Sequence, residues 1–392
     1  MIKRDLTKEL LAAAREYPVV TVLGPRQSGK TTLARAVFPA KPYRTLEEPD
    51  VRAQAQRDPR GFLDGLPDGA VLDEIQRLPE LLSYLQGLVD QRRKPGQFIL
   101  TGSHQPAVHQ AVSQSLAGRT ALLTLLPFAF TELKHYRKSW DVFELIVNGS
   151  FPRLHDEGLQ AERFFNGYIQ TYLERDVRAL INLKDLRRFQ QLLTLLAGRV
   201  GQLLNYASLG NDIGVSAVTI KDWISVLTAS FVVFELPPYY QNISKRVIKT
   251  PKLYFTDTGL AAHLAGIRTS EQAQRDPLRG GLYENLMIVE VLKRRLNRGL
   301  RPDLFFYRDA RGVEVDLLVQ TWRTLVPIEI KSAATFHPDF HRSLERFRAA
   351  TAARTTAGAV FYSGKTASIF HDARVLNPLL HVAWDSLLIG EG

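Results

Sequence analysis

An apolar run at residues 19–23 leads into Gly24-Pro25-Arg26-Gln27-Ser28-Gly29-Lys30-Thr31-Thr32 and then into a helix-forming segment. Strand, glycine-rich loop and helix in that order constrain this chain more than any other feature. The loop matches G-x-x-x-x-G-K-[ST] in the context that pattern requires. Its glycines let backbone amides curl around phosphate oxygens, and the amino end of the helix adds partial positive charge. Lys30 is then placed to reach the β- and γ-phosphates, and Thr31 to offer its hydroxyl to magnesium. The prediction is a nucleoside triphosphate site on a parallel α/β sheet.

Further along, residues 69–74 form an apolar stretch ending in Asp73-Glu74, and residues 98–103 form another ending in Thr101-Gly-Ser103. After a phosphate loop, paired carboxylates at a strand end suit magnesium binding by Asp73, often through water, and activation of the attacking water by Glu74. A third segment, Ser115-Leu-Ala-Gly-Arg119, precedes an apolar stretch at 120–126. Alternating strand and helix signals predict a parallel sheet with helices on both faces.

GPRQSGKTTL, VLDEIQ, ILTGS and SLAGR occur in this order and resemble bacterial and archaeal AAA-type ATPases that carry a C-terminal domain of unknown function. The resemblance extends to Gly149-Ser-Phe-Pro152 and Tyr172-Leu-Glu-Arg-Asp176-Val, similar to that family's linker and lid, and to residues 252–260 and 281–290, similar to its C-terminal region. It implies ATP and Mg2+ as cofactors and Thr101 or Ser103 as the sensor of the γ-phosphate or lytic water; Arg119 is the candidate for a finger reaching a neighbouring subunit, or else a surface arginine. The resemblance further implies a homo-oligomeric ring, a hexamer, and a helical lid, where Arg175 or Arg178 could reach nucleotide across a subunit boundary.

Residues 203–228 read as a short helix, a turn at Gly214 and a second helix capped by Ser216, which is the shape of a helix-turn-helix. An alternating run at 231–236 and a basic segment with Lys245, Arg246, Lys249 and Lys252 complete the pattern of a winged helix. Basic wing residues would meet phosphates, with Thr219, Lys221 or Asp222 facing a DNA groove; such modules also bind protein.

The last third holds the hexapeptide PIEIKS at 327–332, which places Glu329 and Lys331 on an apolar strand where an unpaired charge is costly. Two apart on a strand, they share one face. With Glu284 on a predicted helix and Asp316 on the preceding strand, they form the arrangement of PD-(D/E)XK nucleases. Asp316, Glu329 and Glu284 are candidate magnesium ligands, and Lys331 a candidate to activate water or steady a phosphate. The same set could also persist as a salt-bridged fold core.

The expected division is an ATPase core at 1–150, a helical lid at 151–200, a winged helix-turn-helix at 201–268 and an α/β nuclease-like domain at 269–392. A formal net charge of +11 suits an acidic partner such as DNA. The absence of cysteine excludes disulfides and thiol catalysis and fits a cytoplasmic protein, and no apolar run approaches the roughly 18 residues of a membrane span. The leading expectation is an ATP-driven DNA motor or remodeller, of helicase or branch-migration type. The alternatives are an ATP-gated metal-dependent nuclease and a signalling or scaffold ATPase whose winged helix binds protein.

Overall fold

The computed structural model describes residues 3–103, 114–138, 140–173, 185–240, 250–309, 312–322, 324–351 and 353–388. Contacts divide the chain into two compact units. The first comprises Met1–Phe128, Ala229–Phe231 and Leu296–Leu300. Its centre is a sheet of β1 (Val19–Gly24), β2 (Tyr43–Thr45), β3 (Ala70–Asp73), β4 (Phe98–Ser103) and β5 (Thr120–Thr124), in the order β2-β3-β4-β1-β5 and parallel throughout. A parallel sheet must be covered on both faces, so its strands read as unbroken apolar runs. The alternation is visible only in what each side chain packs against. Val20, Val22, Val71 and Ile99 join Leu10 of helix Thr7–Glu16 and Leu33 of helix Lys30–Val37 on one face. Val19, Leu23, Leu72 and Leu100 join Phe62, Leu82 and Leu85 on the other. Burying each such side chain is worth about 1.5–3 kcal/mol.

The second unit comprises Ala129–Thr228, Val232–Arg295 and Arg301–Gly392. Helices Tyr206–Ile213 and Ala217–Ala229 flank Gly214, whose φ of 78° is left-handed and suits glycine at that turn. They are followed by the antiparallel pair β6 (Val233–Leu236) and β7 (Lys252–Phe255). Next come helix Arg279–Leu296 and a six-stranded sheet of β8 (Leu304–Arg308), β9 (Glu314–Thr321), β10 (Thr324–Lys331), β11 (Ala359–Tyr362), β12 (Ser368–Phe370) and β13 (Ala373–Leu376). Its order is β12-β13-β11-β10-β9-β8, with β10, β11 and β13 parallel and the rest antiparallel. Residues 338–350 begin with a 3-10 turn, Pro338–His341, where proline fixes the entry, and continue as α-helix Arg342–Ala350. The hairpin β12–β13 has no counterpart in the sequence reading.

Two of the segments that carry the family resemblance meet at one buried carboxylate. Asp257 is 1% exposed and caps helix Thr258–Leu264 by accepting from the amides of Gly259 and Leu260 at 3.0 and 3.2 Å. It also accepts from the amide and hydroxyl of Ser150 at 2.7 and 2.8 Å, and Lys293 donates to that hydroxyl at 2.7 Å. Gly149 makes this approach possible, since a Cβ there would lie 2.3 Å from Asp257 Oδ1. An Asp257→Ala change orphans several buried donors together, so it should lower unfolding free energy by about 3 kcal/mol or more. Urea denaturation of the two proteins measures this, and a difference below about 1 kcal/mol would refute the clamp.

Candidate functional site

The loop after β1 is built by two glycines with different tasks. At Gly24 a Cβ would stand 2.1 Å from the carbonyl oxygen of Leu125, so the loop could not leave the strand. Gly29 holds φ at 91°, a left-handed conformation, and starts helix Lys30–Val37. Gln27 also has positive φ, 60°, which is uncommon for a residue with a side chain. Arg4 braces the loop by donating to the carbonyl of Ser28 at 2.6 Å and to that of Leu126 at 2.7 Å. Ser28 Oγ donates to Pro25 O at 2.9 Å. Lys30 folds back over the loop, its ammonium donating to the carbonyls of Gly24 and Pro25 at 3.1 and 2.7 Å. Burial pushes its amine down to about 8, against the opposing pull of Glu74 and Asp73.

Thr31 donates to both oxygens of Asp73, at 3.0 and 3.1 Å. Asp73 ends β3 and also accepts from Tyr43 of β2 at 2.7 Å and from Thr101 of β4. Burial, with the bond to Asp73 second, holds the Tyr43 phenol well above its ordinary range. Glu74 follows with φ at 58°, a conformation of the kind that costs about 1–3 kcal/mol and gathers at functional sites. Its carboxyl is raised above the usual range by burial, with Arg26 opposing from 4.0 Å and Lys30 also opposing. Gln76 Nε2 donates to Glu74 and, at 2.8 Å, to Ser103 Oγ. Its Oε1 is buried without a hydrogen-bond partner. Gly102 makes room for it, because a Cβ there would approach Oε1 to 2.5 Å.

Lys30, Thr31, Asp73, Glu74, Thr101 and Ser103 therefore gather at the carboxyl ends of β1, β3 and β4, where open α/β sheets bind ligands. A hydroxyl beside a carboxylate is a hard-oxygen donor set that fits Mg2+, and the lysine-lined loop fits a polyphosphate. Thr101 is engaged with Asp73, whereas Ser103 connects to Glu74 through Gln76. Tyr43 and Gln76 were missed from sequence, although Gln76 lies within the VLDEIQ string.

Arg119 is not brought to this cluster. It precedes β5, whose first residue pairs with Val19 at the amino end of β1, the opposite end of the strand from the loop. There it forms a bidentate pair with Asp90, 2.6 and 2.8 Å. In the second unit, Lys221 and Asp222 are exposed, while Thr219 is tied to Ser216 at 2.9 Å. Lys252 is corrected: it is no exposed wing residue but is buried between Glu284 at 3.1 Å and Glu314 at 2.8 Å. Lys245, Arg246 and Lys249, like Arg175 and Arg178, lie outside the described residues.

The four C-terminal candidates are gathered around β9 and β10. Lys331 pairs with Glu329 and stands 3.6 Å from Asp316. Asp316 also accepts from the amide of Ile330 at 2.8 Å, and Glu329 from Ser343 at 2.6 Å. Glu284 projects from helix Arg279–Leu296 and accepts from Lys252 and Tyr254. Burial, then the neighbouring Asp316, pushes both Glu284 and Glu329 up to about 7.

Residues 16–134 match a family described as an AAA domain, and residues 139–271 and 279–381 match two domains of unknown function, DUF8612 and DUF4143. With the parallel sheet and its phosphate loop, this gives the chain a P-loop ATPase domain of the AAA type at residues 16–134. The protein is 34% identical over 348 residues to uncharacterized proteins of Mycobacterium bovis and Mycobacterium tuberculosis, covering 87% of this chain and 76% of each of theirs. The chain belongs to the family of these mycobacterial proteins. Among solved structures, a Walker-type ATPase of Pyrococcus abyssi aligns over 67% of this chain and 96% of its own, with 17% identity and a TM-score of 0.45. AMPPCP-bound DnaA from Aquifex aeolicus aligns over 56% of this chain and 84% of its own, with 15% identity and a TM-score of 0.31. Among the described residues, no helix is long and apolar enough to cross a membrane.

Glu329 carries a pH dependence whose sign is set by its raised value. Unfolded it ionises near 4.5, and folded at about 7, so its stabilising contribution is full below 4.5 and lost as pH rises through 7. The loss is at most of order 3 kcal/mol. Glu329→Gln should therefore flatten the fall in stability between about pH 5 and 7.5, as read from urea midpoints across that range. An unchanged slope would show that Glu329 ionises normally.

Proposed function

We propose that the protein couples magnesium-dependent ATP hydrolysis to work on DNA, as a homo-oligomeric motor or remodeller of helicase or branch-migration type. The convergence of Lys30, Thr31, Asp73 and Glu74 at the strand ends is the observation that supports the ATPase chemistry. In this reading the amides of residues 24–29 and the amino end of helix Lys30–Val37 receive phosphate oxygens, with Pro25, Arg26, Gln27, Ser28 and Thr32 shaping the cradle. Lys30 exchanges the carbonyls of Gly24 and Pro25 for the β- and γ-phosphates. Thr31 and Asp73 hold Mg2+, which when bound offsets charge on the phosphates. Glu74 orients and deprotonates the attacking water, helped by a carboxyl whose proton affinity burial has raised. Ser103 reports the γ-phosphate to Glu74 through Gln76, and Thr101 steadies Asp73.

The DNA assignment is supported by the net charge of +11 and by the two helices 206–213 and 217–229 followed by the β6–β7 pair, which we read as a winged helix. A second reading, an ATP-gated nuclease, is favoured by the gathering of Glu284, Asp316, Glu329 and Lys331. It requires magnesium-dependent cleavage that Asp316→Ala abolishes while ATPase survives.

Lys30→Ala should abolish nucleotide binding, and Glu74→Gln should keep binding while slowing turnover about 10²–10⁴-fold. Calorimetry and phosphate release measure the two, and normal turnover by Glu74→Gln would remove its assigned role. ATPase should rise with single-stranded, duplex or branched DNA, and DNA affinity should fall steeply with salt. An ATPase indifferent to every DNA, with no salt-dependent binding, would favour the signalling or scaffold reading. Arg119 acts as a finger if it gives up Asp90 for a neighbour's phosphate. Arg119→Ala should then be inactive alone and partly rescued by mixing with Glu74→Gln subunits; no rescue leaves it a surface ion pair.

A further inference from the structure

The turn between β12 and β13 consists of His371 and Asp372, with φ of 46° and 66°. A two-residue hairpin turn with both central residues left-handed ordinarily uses Asn-Gly or Asp-Gly, so an imidazole in the first position calls for a reason. Across from it, His341 closes the 3-10 turn Pro338–His341, and Glu345 follows one helical turn later. His341 is 1% exposed; its Nε2 has no hydrogen-bond partner, and its Nδ1 faces the carboxylate of Glu345. That leaves a buried ring nitrogen unsatisfied in a place walled by Phe370, whose ring lies 5.6 Å from that of His341 and 4.4 Å from that of His371.

The geometry supplies what is missing. Glu345 Oε1 stands 3.2 Å from Nδ1 of His341 and 3.3 Å from Nδ1 of His371. Ligands about 2.0–2.1 Å from a tetrahedral zinc ion are separated by about 3.3 Å along each edge of the tetrahedron. Among the described residues this is the one set of three histidine or carboxylate groups with ligand atoms all within 4.8 Å of one another. We propose that His341, Glu345 and His371 bind a transition-metal ion of the zinc type, pinning the hairpin turn to the start of helix Arg342–Ala350. Two imidazoles and one carboxylate select zinc-like ions over magnesium or calcium, which take oxygen ligands. Exposure of Glu345 and His371 leaves a path for the ion and a fourth position for water. Ser343, between the two helical ligands in sequence, donates to Glu329, so the ion would also steady a residue that orders the acidic-lysine cluster.

The test uses the full chain, stripped with chelator, dialysed, and titrated with ZnCl2 by calorimetry without nucleotide. Co2+ serves as a second probe whose visible absorption reports tetrahedral coordination. One equivalent per chain is expected, together with a higher Tm in zinc. His371→Asn keeps a residue suited to the left-handed turn, and should bind at least about tenfold more weakly, the lower end of what even outer-shell changes cost. Glu345→Gln should act in the same direction, and Asp316→Ala should leave the zinc isotherm unchanged. No zinc uptake, an unchanged isotherm in His371→Asn, or loss of zinc in Asp316→Ala instead would each overturn the site.

Discussion

A single buried carboxylate, Asp73, organises the nucleotide end of the molecule. It is 4% exposed and accepts hydroxyl protons from Thr31 at the helix start, Tyr43 on β2 and Thr101 on β4. A charge taken out of water must be met by donors or a cation, and here three separate elements meet it with hydroxyls. Those bonds bring the loop, the edge strand and the central strand to a common point.

The second unit poses a related problem with a different balance. Lys252 meets Glu284 and Glu314, and Lys331 meets Glu329 and Asp316, so two ammonium groups face four carboxylates. Burial first, and the neighbouring Asp316 second, push two of those carboxyls, Glu284 and Glu329, up to about 7. An excess of buried negative charge is relieved by protons or by a metal cation, and a cluster of this kind is sensitive to both. Glu329 and Lys331 pair with one another while also belonging to a larger, anion-rich cluster.

Much of the nucleotide site was legible because its demands are local. Gly24 and Gly29 are required by backbone approach and by positive φ, and both effects act within a few residues of the motif. The apolar runs of β1, β3 and β4 read directly as covered parallel strands. The gathering of Glu284, Asp316, Glu329 and Lys331 was legible as a pattern of helix and adjacent strands. Arg119 was legible only as an arginine after a small loop, and its string does not disclose the pairing with Asp90. Lys252 read as basic and exposed, since nothing near it in the chain signals the carboxylates that bury it.

By itself, then, the amino-acid order determined that a triphosphate loop leaves a strand and opens a helix, and that paired carboxylates close a later strand. Those features follow from backbone geometry and side-chain chemistry over short spans. Tertiary structure alone decided that Tyr43 bonds Asp73 and Gln76 bonds Ser103, that Asp257 clamps Ser150, and that His371 faces His341 and Glu345. Each of these contacts joins segments separated in the chain, and none of them exists until the fold has brought its two sides together.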